Sequence, residues 1–514
     1  MWYTILLKCA LTHYDTFYYY IMQAFFCQGR FFIFVGMPLK HRLFRFFFVN
    51  LHKPDGTAAD SKGNTAQSPP DGFARNLCAD FPSYCPEIPC HTSSMPAEFL
   101  SNLPKSLTTH LTHKLYSVFP EENRRENMSE KWVTAWGNAI SVAERRPENY
   151  AKNLTLRYPA KMMLDGSALR ITLDNFCGNE PVYLTRATVA VSDGADGILP
   201  ETLVPLTFSG NAGVTIPAGE RLQSDAAAFP VEKGTTIAVS LYFAEFTEMR
   251  SGVVITGPLS GGYFAVGDQT ANAVLDTDTS KKTHTVYFLS DIDVLTAAEN
   301  RTLICFGDSI TAQAWPDYLM ERTLQCGDGT TAVIRKAASG TRILRQYDNI
   351  TYDSYGLKGE TRFPREIQVA GADTVLIQHG INDIIHPVGT DVNRFRPWSD
   401  LPTAAEMIEG LRFYIRTARA GGLRVYMGTL LPIEGWRTYA DFREKLRSEV
   451  NQWIRTTDEI DGCVDFDRAV CNPEHPTAFA AGYDSGDHLH PSLTAYARMA
   501  EEVPEALLRN EESH

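Results

Sequence analysis

A serine hydroxyl becomes a nucleophile when a histidine can take its proton and a carboxylate can orient that histidine. The sequence Asp487-His488-Leu489-His490-Pro491 supplies such a base and its orienter. Pro491 biases His490 away from helical geometry, and Asp487, three residues back, can bond its imidazole. Far upstream, Gly307-Asp308-Ser309-Ile310 follows the apolar run Leu303–Phe306. Ser309 would then stand at a strand-to-helix turn, its amide facing the same site as its hydroxyl. Two further motifs lie between. Ser339-Gly340 follows Val333–Ala337, and a glycine there lets the backbone approach a ligand and donate its N–H. Gly380-Ile381-Asn382-Asp383 follows Thr374–Gln378, where the Asn382 amide could donate to a developing oxyanion. Each motif alone has a plainer reading. Serine after aspartate is usually a cap or turn. Ser339-Gly340 could simply end a strand, Asn382 and Asp383 could cap a turn, and the histidine loop could be a polar segment before a helix. No Gly-x-Ser-x-Gly elbow occurs in the chain.

These motifs need a scaffold. From about Glu299 the pattern alternates strands with helices. Leu303–Phe306, Val333–Ala337, Thr374–Gln378 and Val425–Thr429 read as strands. Thr311–Gln325, Pro402–Ala420, Thr438–Thr456 and Leu493–Leu508 read as helices; Pro402 suits a first turn and Gly421-Gly422 a stop. The alternation predicts a mostly parallel sheet covered on both faces, with chemistry at the carboxyl ends of its strands. From Trp132 to about Asp293 the pattern is instead short β-type runs, among them Ala168–Leu173, Val182–Val191, Gly213–Ile216 and Thr235–Tyr242. Asp193-Gly194, Ser209-Gly210, Pro217-Ala218-Gly219 and Gly261-Gly262 punctuate them, which predicts an antiparallel sandwich. Asp276–Lys282 reads as a polar loop near its end.

Taken in order, the four motifs make residues 300–505 resemble an SGNH (GDSL-type) esterase/acylhydrolase, whose blocks carry Ser, Gly, Asn and His. Asp484–Pro491, Val464-Asp465-Phe466-Asp467 and Gly428-Thr429-Leu430-Leu431-Pro432 resemble one branch of that family, in which a β-sandwich opening with a Trp-rich segment precedes the hydrolase. Trp132-Val133-Thr134-Ala135-Trp136-Gly137 fits that opening. The resemblance implies a three-layer α/β/α hydrolase domain at 299–514 after a β-sandwich at 128–298. It implies Ser309 as nucleophile, His490 as general base and acid, and Asp487 as its orienter. The N–H groups of Ser309 and Gly340 and the Asn382 amide would form the oxyanion hole. Ala337-Ala338 stand where relatives often carry Asn-x-Gly, a minor departure. The implied substrates are O-acyl esters, often small acyl groups on carbohydrate, with no cofactor and no metal. Trp315, Trp398 and Trp436 flank the motifs and could stack on a sugar or be structural aromatics in loops. An acyltransferase would use the same acyl-enzyme. A carbohydrate-binding protein with a vestigial hydrolase domain is the non-catalytic alternative, against which the intact residue set speaks.

Composition bounds the partners. The chain has 514 residues, 48 Lys+Arg against 61 Asp+Glu and a net charge of −13, which argues against a nucleic-acid binder and against anionic membranes. Oligomeric state is left open. The charge is uneven: residues 1–127 carry +2 and the remainder −15. Residues 1–50 hold 16 of the aromatic Phe, Trp and Tyr residues, with no clean signal peptide or span, because Arg30 interrupts the apolar stretch. Residues 50–127 show no sustained period and are broken by Pro69, Pro70, Pro82, Pro86 and Pro89. Residues 1–127 are therefore expected to be a non-globular or spurious extension, with the true start at Met128; a membrane-associated leader or a degenerate extra domain is the alternative. Cys78, Cys85, Cys90 and His91 lack the paired spacing of a zinc site. His488 and His490 lack an acidic partner at metal-ligand spacing. Downstream, Cys177, Cys305, Cys326, Cys463 and Cys471 are five in number, with Cys305 in a core strand. That pattern suits reduced cysteines and a cytoplasmic protein; secretion is the alternative.

Overall fold

The computed structural model describes residues 129–509 apart from 144–149, 347–354, 387 and 389–397, together with the backbone of four N-terminal strands. It divides into two compact units, Met1–His113 and Lys114–His514. In the first, Trp2–Cys9, Tyr18–Cys27, Arg30–Gly36 and Phe47–His52 form an antiparallel meander. Aromatic and β-branched residues suit a pleated surface, and these stretches are rich in them. The strands fall within the segment set aside above as an extension. Cys78, Cys85, Cys90 and His91 lie outside the described residues.

The second unit holds two kinds of sheet. Its N-terminal part is antiparallel throughout. Six strands run in the spatial order Val204–Leu206, Arg186–Val191, Thr236–Phe243, Leu154–Lys161, Gly262–Val266 and Lys281–Thr283. Four more run Arg221–Gln223, Ala168–Asp174, Leu289–Ala297 and Glu130–Gly137. Leu156, Tyr158, Val239 and Leu241 of the first sheet share one buried cluster with Val133, Ile171, Ile292 and Val294 of the second. The run Val182–Val191, expected as one strand, is two. Val182–Leu184 pairs with Val214–Ile216, whereas Arg186–Val191 pairs with Thr236–Phe243. An apolar run shows its strand character but not which partners it will serve.

The C-terminal part is a five-stranded parallel sheet. Its spatial order is Thr331–Ala337, Arg301–Gly307, Ala372–Gln378, Arg424–Gly428 and Gly462–Val464. Every residue of Arg301–Gly307 and Thr331–Ala337 is buried, as expected for strands covered on both sides. The first strand in sequence lies between the second and third. The order therefore reverses beside it, and a crevice opens at the carboxyl edge of such a switch point. Ser309, Gly340 and Asn382 all follow strands that meet there.

The helices depart from expectation where proline intervenes. Thr311–Gln325 is two helices, Ser309–Ala312 and Trp315–Cys326, because Pro316 lacks an N–H and fits only a new first turn. The last helix is Leu493–Glu502 and stops before Pro504. Ala404–Ala420 begins one residue after Thr403, which forms a capping box with Glu406. Asp441–Thr456 starts three residues later than expected. Gly359–Glu366, with Pro364 inside it, carries no sequence signal recognised above. Among the described residues no helix is long and apolar enough to cross a membrane.

Polar links join the antiparallel part to the parallel sheet. Thr134 N–H donates to the Ala370 carbonyl at 2.9 Å, and Thr302 Oγ1 donates to the Thr134 carbonyl at 2.8 Å. Buried Lys336 donates from Nζ to Asp291 Oδ1 at 2.6 Å and to the Asn138 carbonyl at 2.8 Å.

Candidate active site

The nucleophile turn forms because the buried Arg301–Gly307 strand ends at a residue with no room for a side chain. A Cβ on Gly307 would run into Thr311 and the Gln378 carbonyl. Asp308 then caps the next helix, its Oδ1 accepting from Ile310 N–H at 3.1 Å. Ser309 is the first helical residue and is half-buried. Thr311 Oγ1 donates to Gln378 Oε1 at 3.1 Å, tying the turn to the third strand.

The structure brings the distant histidine loop to this turn. Ser309 Oγ lies 2.9 Å from His490 Nε2, and His490 Nδ1 lies 2.7 Å from Asp487 Oδ2. A carboxylate only accepts, so Nδ1 carries the proton and Nε2 presents its lone pair to the serine hydroxyl. The other Asp487 oxygen accepts from the backbone N–H of Leu489 at 3.0 Å and of His490 at 2.8 Å. Partial burial would raise the Asp487 carboxyl. The hydrogen bonds from the His490 ring and backbone outweigh it and hold the group below the usual carboxylate range. Asp484 holds the neighbouring ring separately: His488 Nδ1 stands 2.6 Å from Asp484 Oδ2. The two histidines thus pair with different carboxylates. Among the described residues no group of three or more His, Cys, Asp and Glu could hold a metal ion.

The remaining two motifs are bound to each other. Gly340 has φ +75°, in the left-handed region, and the Tyr355 ring occupies the place of a Cβ. Buried Asn382 donates from Nδ2 to the Thr341 carbonyl at 3.1 Å, which leaves one amide hydrogen for another acceptor. Asp383 does not cap its own helix. Its carboxylate accepts from Ile343 N–H at 2.7 Å and Leu344 N–H at 3.3 Å, holding the loop that follows Gly340. The plainer reading of these residues as a local cap is thereby replaced by a cross-loop clamp. His379, which sequence reasoning passed over, is part of it. Its Nε2 lies 3.0 Å from the Thr341 carbonyl, and its Nδ1 lies 3.0 Å from the Tyr414 hydroxyl. Burial, then the nearby Arg362 charge, push this ring well below the usual histidine range, so it is neutral and donates from Nε2. Among the described residues the N–H groups of Ser309 and Gly340 have no acceptor. Such donors can meet a developing oxyanion.

Burial also raises three carboxyls behind the turn. Asp308 is pushed up to about 7, Glu366 to about 7 and Asp383 to about 6. Desolvation is the largest cause in each case.

The tryptophans do not share one role. Trp315 is fully buried, its ring centre 5.3 Å from that of Phe466, so it is a core residue and cannot stack on a sugar. Trp436 is partly buried, with Arg437 over its ring. Trp398 is 60% exposed and meets Phe442 edge-on at 5.6 Å.

No curated protein matches the chain. Among solved structures it is similar to a putative acylhydrolase from Bacteroides fragilis at 17% identity, covering 40% of this chain and 86% of that one with a TM-score of 0.30. A putative lipolytic protein of the G-D-S-L family from Desulfitobacterium hafniense matches at 16% identity over 40% of this chain and 97% of that one, with a TM-score of 0.29. A catalytic mutant of an acetylxylan esterase from Geobacillus stearothermophilus matches at 20% identity over 39% and 91%, with a TM-score of 0.31. The family model described as GDSL-like lipase/acylhydrolase matches residues 305–498, a span that contains all four motifs. The chain therefore carries over residues 305–498 a domain of the GDSL-like lipase/acylhydrolase family, and it is a carboxylic ester hydrolase of that type.

Proposed function

We propose that the protein is a serine esterase that hydrolyses acetyl or other short O-acyl esters, with carbohydrate as the alcohol, through an acyl-enzyme on Ser309. The observation that carries this reading is the hydrogen-bonded line from Ser309 Oγ through the His490 ring to Asp487. His490 Nε2 takes the hydroxyl proton as Ser309 attacks the ester carbonyl. The oxyanion is met by the N–H groups of Ser309 and Gly340 and by the free amide hydrogen of Asn382. His490 then protonates the leaving alcohol, and water, deprotonated by the same ring, releases the acid. Asp487 keeps the proton on Nδ1 and stabilises the imidazolium. The exposed Trp398–Phe442 pair offers an aromatic face for a sugar ring. In the same reading the two antiparallel sheets of residues 128–298 are a β-sandwich preceding the hydrolase, and residues 1–127 are dispensable.

The test is hydrolysis of p-nitrophenyl acetate, butyrate and octanoate by the full chain, by residues 128–514, and by Ser309→Ala of each. Activity that falls with acyl length, survives removal of 1–127 and vanishes in Ser309→Ala is expected. Undiminished hydrolysis by Ser309→Ala refutes the acyl-enzyme. A preference for octanoate refutes the short-acyl assignment. Release of acetate from acetylated oligosaccharides, compared with triacetin, tests the carbohydrate alcohol.

A further inference from the structure

The Gly359–Glu366 helix lies between the second and third motifs and holds none of the residues discussed as reacting groups. Its N-terminus faces the loop that follows Gly340. Gly359 N–H donates to the Arg342 carbonyl at 2.7 Å and Glu360 N–H to the Ile343 carbonyl at 3.2 Å. Arg362 follows, 1% exposed. Its Nη2 donates to the Gly307 carbonyl and to Thr341 Oγ1, the latter at 3.2 Å. Its Nη1 donates to the Lys336 carbonyl at 3.3 Å and to Glu366 Oε2 at 2.6 Å. The guanidinium carbon sits 4.2 Å from the centre of the Phe306 ring. One planar group thus touches the strand end two residues before Ser309, the end of the neighbouring strand, and the residue after Gly340.

Only a guanidinium offers this many donors in a fixed fork; a lysine ammonium is a point charge on a flexible stem. A buried ion pair is a poor source of net stability. Its contribution here is the relative placement of two loops, and displacement of a reacting group by about 1 Å can cost about 10²-fold in rate. We propose that Arg362 is a positioning residue, its guanidinium fixing the Ser309 turn against the Gly340 loop so that nucleophile and oxyanion donors keep their spacing. The proposal rests on the reading of Ser309 as the nucleophile.

The full-length protein and its Arg362→Lys, Thr341→Val and Thr341→Ser variants are treated with an alkyl fluorophosphonate and followed by intact mass. In this reaction Ser309 Oγ bonds to phosphorus, the P–F bond breaks, fluoride leaves, and His490 takes the serine proton. No knowledge of the natural ester is needed. Hydrolysis of p-nitrophenyl acetate is measured in parallel, with near-ultraviolet circular dichroism as the check on folding. Arg362→Lys should slow labelling and lower kcat by a common factor of about 10- to 100-fold, with KM within about twofold of wild type. Thr341→Val removes the acceptor for Arg362, the hydroxyl donation to the Ala338 carbonyl at 2.8 Å and the contact with His379 Nε2 at 3.1 Å, but no charge, and should lower both by about 2- to 10-fold. Thr341→Ser should recover most of that loss. A folded Arg362→Lys protein with wild-type rates overturns the proposal, as does a loss confined to KM. Should Arg362→Lys fail to fold, the Thr341 pair decides: equal rates for valine and serine overturn it. Absence of labelling at Ser309 in the wild type removes the nucleophile reading, and the proposal falls with it.

Discussion

Replacing Asp308 with asparagine should change how stability depends on pH, because this carboxyl sits fully buried at the nucleophile turn. Burial pushes it up to about 7 from an ordinary value of 3.8, against the opposing pull of the Ile310 N–H and the Arg362 charge. An acid with a raised folded pKa binds its proton more tightly in the folded state. Its contribution is therefore fully present below the unfolded value and is lost as pH rises through the folded one. The total loss is about 4 kcal/mol, of which about 2–3 kcal/mol falls between pH 5 and pH 8. Asparagine keeps an oxygen for Ile310 N–H and cannot ionise. The Glu366 and Asp383 carboxyls titrate in both proteins, so their contribution cancels in the main, apart from the repulsion between Asp383 and Asp308. Urea unfolding of wild type and Asp308→Asn at both pH values, followed by tryptophan fluorescence, gives the double difference. Wild type should lose about 2–3 kcal/mol more than the variant between pH 5 and pH 8. A stability difference between the two proteins that is the same at both pH values refutes the raised carboxyl, whatever the variant's absolute stability.

Other perturbations separate the roles proposed for neighbouring groups. Asn382→Ala should lower turnover of p-nitrophenyl acetate by roughly 10²–10³ with the fold intact, the usual loss for one oxyanion donor; normal turnover in the folded variant removes Asn382 from the mechanism. Asp487→Asn should be milder than Ser309→Ala or His490→Ala, since it disturbs orientation and not the reacting atoms; three equal losses in kcat contradict that order. Lys336→Met leaves Asp291 buried without its cation and should cost about 3–5 kcal/mol in urea unfolding, and recovery in a Lys336→Met/Asp291→Leu double variant would identify the stranded carboxylate as the cause.

Much of the fold was legible because buried parallel strands declare themselves as continuous apolar runs. Leu303–Phe306, Val333–Ala337 and Thr374–Gln378 all fall within observed strands. The spatial order of those strands was not legible from apolar runs alone, since a run does not state its neighbour. Helix ends were misplaced where a local competitor acted: Pro316 split one helix, Pro504 shortened another, and Thr403 set the start of a third. At the site, the reacting groups stood out because serine and asparagine just after strands, and histidine in a loop before the last helix, are chemically conspicuous. Their supports did not. His379 and Arg362 work through contacts across 38 and 55 residues of sequence, and no local spacing encodes such a contact. For Trp315 the residue type left a sugar platform and a structural role both open, and its place as the first residue of the Trp315–Cys326 helix, packed on Phe466, put it in the core.

The groups behind the Ser309 turn are a poor investment if stability is the criterion. Asp308, Asp383 and Glu366 are carboxyls whose burial favours their neutral forms, and Arg362 and Arg342 are guanidiniums buried beside them. Apolar side chains would fill the same volume at lower desolvation cost. They could not, however, hold a loop by its backbone. The Gly340 loop has φ +75° at its glycine and no regular hydrogen-bonding partner in the sheet, so its backbone groups must be met individually. Asp383 takes the Ile343 and Leu344 N–H groups, while His379 and Asn382 meet the Thr341 carbonyl. Arg362 meets the Thr341 hydroxyl and the Gly307 carbonyl together. Together these polar residues answer backbone and hydroxyl groups that hydrocarbon would leave unpaired. Oxyanion donors act through fixed placement, so these buried polar groups, charged and neutral, are the means by which a glycine loop outside any strand is held in place.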